Sequence, residues 1–207
     1  MTFRITKMKQ QEKTTQLLGL GVNALMVIGK IVLGIITSSG FLFVSALVTL
    51  MAFATKLIGL LELCGKKKIG VLQAFLYMGI TISIGAIGYT SYMARLFFFP
   101  KMDHYDIYQG ITIAAFAFTD LGWAIHGLIR EAKNKNIVAA GLKCGALSNG
   151  LSALILAQTA IFAFTNPNID YSFYNALGGT IFGAIDLLIG LVMIGYSSYR
   201  SHREDLK

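Results

Sequence analysis

The chain has 207 residues, 55% of them hydrophobic and only 14% charged, with a formal net charge of +8 and a mean hydropathy of +0.65. Soluble chains carry about 25% charged residues and interrupt their apolar runs with turns, so this composition excludes a soluble domain. The basic surplus flanks apolar runs instead of lining one face, which marks membrane topology and excludes a nucleic-acid partner.

In chain order, residues 1–14 form a polar, basic arm containing Arg4, Lys7, Lys9 and Lys13. The polar start, the long apolar stretch after it and the lack of a small-residue cleavage site argue against a cleavable signal peptide. A first apolar segment spans Thr15–Ile36, and the short turn Thr37-Ser38-Ser39-Gly40 leads into a second, Gly40–Leu63. Lys66, Lys67 and Lys68 precede a third, Ile69–Ala94, and a loop with Arg95, Pro100 and Lys101 precedes a fourth, Gln109–Ile129. Arg130, Lys133 and Lys135 lead to a fifth, Ile137–Phe164, and an uncharged stretch followed by aromatics leads to a sixth, Asn175–Tyr199. Residues 200–207 are a short tail with Arg200, Arg203 and Lys207. Each segment has the roughly 20 residues needed to cross about 30 Å of hydrocarbon as a helix. The expected fold is an all-α membrane protein, a six-helix transmembrane bundle over residues 15–199 with short antiparallel connections.

The connections alternate in charge. Thirteen basic residues fall on the side of the arm, the 2–3 loop, the 4–5 loop and the tail, against Arg95 and Lys101 on the other. The positive-inside rule then places both ends in the cytoplasm, with a bacterial cytoplasmic membrane as the expected setting. Phe97, Phe98, Phe99, Tyr105, Tyr108, Tyr171, Phe173 and Tyr174 cluster at the opposite side, where amphipathic rings form a headgroup-level belt.

Charges inside hydrocarbon cost at least about 2.5–3.5 kcal/mol each and face a partner or a water-filled cavity. Four lie well inside the spans: Lys30, Lys56, Asp120 and Asp186. Two cations and two anions fit internal ion pairs that fix helix register, or a proton or cation relay through the carboxylates. Small and polar residues recur at helical spacing: Gly19, Asn23, Lys30 and Gly34; Ser45, Thr49, Ala52 and Lys56; Gly141, Gly145, Ser148 and Ser152; Gly179, Gly183, Asp186 and Gly190. Steps of three, four and seven put each set on one helix face, the usual signature of close backbone packing in membranes. Asn23, Ser148, Asn149 and Ser152 join the four charges as candidates for lining a path.

Other chemistry has no foothold in the sequence. Cys64 and Cys144 lie on different segments and form no CxxC or Cys/His cluster. His126 has no His or carboxylate one helical turn away, and His104 and His202 lie outside the membrane, so no zinc pair is offered within the spans. There is no Gly-rich phosphate loop, nucleophile elbow or HExxH, and neither an enzyme active site nor a cofactor is expected.

The stretch Leu20–Leu50, LGVNALMVIGKIVLGIITSSGFLFVSALVTL, resembles the opening of the cation diffusion facilitator transporters. That family places an Asn and then a Lys inside its first helix, a Gly near the outer end, and a Ser/Gly turn before its second helix; Asn23, Lys30, Gly34 and Ser38-Ser39 follow in that order. Leu142–Leu154, LKCGALSNGLSAL, resembles the start of the family's fifth helix. The six-helix count, the topology and the run from Arg95 to Pro100 agree as well. The resemblance implies a homodimer that exchanges Zn²⁺ or a similar ion for protons, with the ion held between the second and fifth helices. The family's ligand positions fall on Val48, Ala52, Ser148 and Ser152, and none of these supplies the nitrogen, sulfur or carboxylate ligands that Zn²⁺ requires. The expectation is therefore a divergent, shortened member, without bound metal and without the family's cytoplasmic C-terminal domain. Lys56, one turn beyond Ala52, either fills the former metal space with Asp120 as counter-ion or reaches to the headgroups.

Three roles follow from these readings. The first is a cation/proton transporter in the lipid bilayer, as a homodimer. The second is a non-transporting subunit or scaffold that docks another membrane protein through its small-residue faces. The third is a substrate-binding membrane component of an uptake system.

Overall fold

A computed structural model describes residues 2–64, 70–100, 105–132, 137–165 and 170–205. Lys66, Lys67, Lys68, Lys101, His104, Lys133, Lys135 and Lys207 lie outside the described residues, as do the side chains of Arg4, Lys7, Lys9, Lys13, Cys64 and Arg130.

Six helices follow in order: α1 (Thr2–Thr37), α2 (Gly40–Cys64), α3 (Val71–Phe98), α4 (Ile107–Ala132), α5 (Ile137–Thr165) and α6 (Ser172–Asp205). All six contain a stretch long and apolar enough to cross a membrane, and no strand occurs among the described residues. This is the pattern of a multi-pass membrane protein. The helices overrun the apolar segments at several ends. α1 continues back through most of the basic arm, and α6 continues into the tail, because hydrogen bonding within a helix does not stop where apolarity does.

Large apolar side chains point outward along the bundle, among them Leu25, Ile35, Leu188 and Val192, each more than 60% exposed. Such a surface suits a lipid solvent. The expected rings gather at the end opposite the termini, where Phe97 meets Phe173 edge-on at 5.7 Å between centroids. Phe98, Phe99, Tyr108 and Tyr174 are exposed there. Tyr105 departs from the belt: it is buried, with its hydroxyl 2.9 Å from that of Ser39. Tyr171 stacks on Phe162 at 4.6 Å.

The turn between α1 and α2 closes tightly because Ser38 adopts a left-handed conformation, φ 52°. The Ser39 N–H then reaches the Gly34 carbonyl and the Ser38 N–H the Ile35 carbonyl, the double closure of a Schellman C-cap. Sequential helices run antiparallel, and the most extensive interface joins α3 to α6. There Gly79 and Gly190 bring the two backbones together: a Cβ on Gly190 would stand 2.9 Å from the Gly79 carbonyl oxygen. The glycine stripe of α6 is consumed by α3, with Met93 over Gly179 and Tyr89 and Thr90 over Gly183. The α5 stripe is likewise covered within the chain, Gly141 by Met78 and Gly145 by Thr55.

Candidate functional site

The intramembrane charges come to rest in three different surroundings. Lys30 on α1 pairs with Asp120 on α4, Nζ to Oδ2 2.5 Å, with the two side chains 0% and 1% exposed. The Lys30 ammonium also donates to Thr49 Oγ1 of α2 at 2.6 Å. The other carboxylate oxygen, Oδ1, accepts from Asn149 Nδ2 of α5 at 2.7 Å. One buried ion pair thus ties four helices together and has hydrogen bonds on both sides, the condition under which burying two charges is tolerable. Gly29 permits the approach of α1 to α4: a Cβ there would collide with the Phe116 ring, one turn before Asp120.

Lys56 has a different partner from the one expected. Asp120 is taken by Lys30, and the Lys56 ammonium donates to Asn23 Oδ1 at 2.8 Å and to the Gly19 carbonyl at 3.4 Å, both on α1. The expectation of an ammonium at the former metal space rested on the lean of helical side chains toward the helix N-terminus. Here the long stem instead turns aside to the neighbouring helix, where Gly19, lacking a side chain, leaves its carbonyl accessible.

Asp186 of α6 stands apart from both. It is 2% exposed, and Ser148 Oγ of α5 donates to its Oδ2 at 2.9 Å. Among the described residues its Oδ1 has no hydrogen-bond partner and no cationic side chain pairs with it.

The four positions where the resemblance puts a metal site share the α2/α5 interface. Val48, Ala52, Ser148 and Ser152 are all buried, and Ser152 Oγ lies 3.3 Å from Ser45 Oγ across the two helices. Two alkyl groups and hydroxyls provide no zinc ligands, and no group of three His, Cys, Asp or Glu side chains gathers among the described residues. His126 is exposed on α4 beside Trp123, and Cys144 is half-buried on α5.

Every intramembrane candidate but Ser152 therefore belongs to one of three contacts: Lys30 and Asp120 with Asn149, Lys56 with Asn23, or Asp186 with Ser148. Ser152 pairs with Ser45 of α2 instead. Sequence reasoning passed over Tyr89 of α3, a fully buried phenol whose hydroxyl has no partner. A tyrosine in mid-span, far from either headgroup level, was the available signal. It also passed over Lys143, which lies inside the apolar span of α5 and is half-buried.

No known family model matches this chain, and no curated protein matches it.

Proposed function

We propose that this chain is a small cation/proton transporter in which Asp186 carries the exchanged ion or proton, while the Lys30–Asp120 pair holds the bundle together. The observation that carries this reading is the free Oδ1 of Asp186. An ionised carboxylate in hydrocarbon without a counter-charge costs several kcal/mol, so it is stable only with a proton or a cation beside it. Asp120 already has Lys30 and needs neither. The division of labour between the two carboxylates follows from their partners.

The architecture expected from the resemblance to cation diffusion facilitators belongs to the same proposal. So do both ends in the cytoplasm, a bacterial cytoplasmic membrane and a homodimeric assembly. The loop charges support the topology, and the Asn23, Lys30, Gly34 and Ser38-Ser39 order supports the kinship. The scaffold reading is weakened by packing: the glycine faces it would use for docking are filled by Met78, Thr55, Met93 and Thr90 of the same chain.

The test is flux in proteoliposomes loaded with a pH-sensitive dye, with mono- and divalent cations supplied in turn. Wild-type protein should move protons when a cation gradient is imposed, Asp186→Asn should abolish that movement, and Ser148→Ala should slow it. Undiminished coupling in correctly folded Asp186→Asn protein would sink the assignment.

A further inference from the structure

Along the α3/α6 seam beside Asp186, several buried oxygens have no hydrogen-bond partner among the described residues. On α3, Tyr89 Oη, Thr90 Oγ1 and Ser83 Oγ lack hydrogen-bond partners; on α6, Asp186 Oδ1 lacks one. Tyr89 is 1% exposed, Ser83 7% and Asp186 2%, so water in the surrounding medium does not reach these side chains. The glycines of α6 place them. Tyr89 and Thr90 lie against Gly183, almost one turn before Asp186, and Ser83 lies against Gly190, one turn after it. Tyr89 and Asp186 thus share one stretch of the α3/α6 seam, the Thr90 and Ser83 hydroxyls stand two turns apart at its two ends, and Ser148 closes the α5 side.

Buried polar atoms in native structures nearly always have partners. A carboxylate oxygen and a neighbouring phenol hydroxyl without one, both almost wholly buried, are the imprint of something small that accepts oxygen ligands and carries positive charge. Resting on the proposed role of Asp186, we infer that this seam is a binding site for a monovalent alkali cation of the sodium class. Charge decides the valence. The site has one negative charge, since Asp120 is cancelled by Lys30. A single positive charge neutralises it, whereas a divalent ion leaves a net charge buried in hydrocarbon at a cost of several kcal/mol. Lys56 and Lys143, both inside the spans, add to the field that a second positive charge would meet. Donor chemistry agrees: carboxylate, phenol and alcohol oxygens suit a hard cation, and with no thiolate or imidazole among them a softer metal gains nothing.

The experiment is thermal unfolding of the detergent-purified protein in sodium, potassium, lithium, choline and magnesium chlorides at matched ionic strength. Sodium or another alkali cation should raise the melting temperature above choline, and above magnesium, in a saturable way. Tyr89→Phe should increase the concentration for half-maximal stabilisation about tenfold, the worth of one lost contact to a charged group. Asp186→Asn should remove the effect. If that variant does not fold, Ser148→Ala, which removes the donor on Asp186 Oδ2, serves as the second weakening substitution. Equal melting in choline and in every alkali salt overturns the inference, as does stronger stabilisation by magnesium or an alkali response unchanged in Tyr89→Phe and Asp186→Asn. Asp186-dependent proton movement without any alkali response would reject the sodium-class site while leaving the transporter reading in place. Loss of both rejects both.

Discussion

Lys30 and Asp120 are ninety positions apart in the chain and meet in the membrane interior as an ion pair with almost no solvent exposure. Their directions explain how. α1 runs toward the end opposite the termini and α4 runs away from it, and helical side chains lean toward their own N-terminus. Lys30 therefore leans deeper into the bundle while Asp120 leans up to meet it. Thr49 and Asn149 then complete the charge-assisted bonds from either side.

The pair makes a strong statement about stability. Removing one partner strands the other charge, so Lys30→Met and Asp120→Leu should each destabilise the bundle by about 3–5 kcal/mol. Replacing both should recover most of that loss. A double-mutant cycle by SDS titration of the purified protein measures it, and strictly additive losses would contradict the pairing.

Asn149 joins α5 to this pair, through its bond to Asp120 Oδ1. Asn149→Ala should cost about 1–3 kcal/mol in the wild type, because a charged acceptor loses its donor. In the Lys30→Met, Asp120→Leu background the same substitution should cost far less, and the same titration reads the difference.

Packing between α3 and α6 gives a sharp contrast between two glycines. Gly183→Val must displace Tyr89 and Thr90 and should cost about 1–3 kcal/mol. Gly122→Ala on α4 meets nothing within 4 Å and should change stability by less than about 0.5 kcal/mol. Equal effects at the two sites would mean that the seam is not packed as described.

Orientation is open to a direct chemical measurement. In a background lacking Cys64 and Cys144, a cysteine replacing exposed Tyr108 should react with an impermeant maleimide added to intact cells. A cysteine replacing exposed Ser201 should react only after the membrane is opened or inverted. The reverse pattern would invert the topology deduced from the loop charges.

The sequence made some of these features legible and hid others. The six apolar runs, the tight Ser38-Ser39 turn and the identity of the buried charges could be read directly, because hydropathy and turn chemistry are local properties. Which cation belongs to which carboxylate could not. Lys30 stands seven residues before the end of α1 at Thr37, Asp120 thirteen after the start of α4 at Ile107, and Lys56 sixteen after the start of α2 at Gly40. Depth alone therefore favours Lys56 as the partner of Asp120. The actual choice depends on how each helix is rotated and on the approach of α1 to α4 at Gly29, and neither is encoded within a single segment. The same limit concealed Tyr89, whose importance comes from facing Gly183 three helices further along the chain.

The α3/α6 seam also constrains the order in which the molecule is made. Ser197 Oγ donates to the Leu72 carbonyl across 125 positions, and the glycine faces of both helices match along much of their length. α1 with α2, and α4 with α5, have neighbours to pack against as they leave the ribosome. α3 packs on α2 through Gly85 and Gly88, but its other small-residue face, at Gly79 and Ser83, waits in lipid until α6 is synthesised. A nascent chain arrested before α6 would present Gly79, Ser83 and Tyr89 to the bilayer, a form that membrane quality control is equipped to remove. Completion of α6 is thus also the step that buries the site around Asp186.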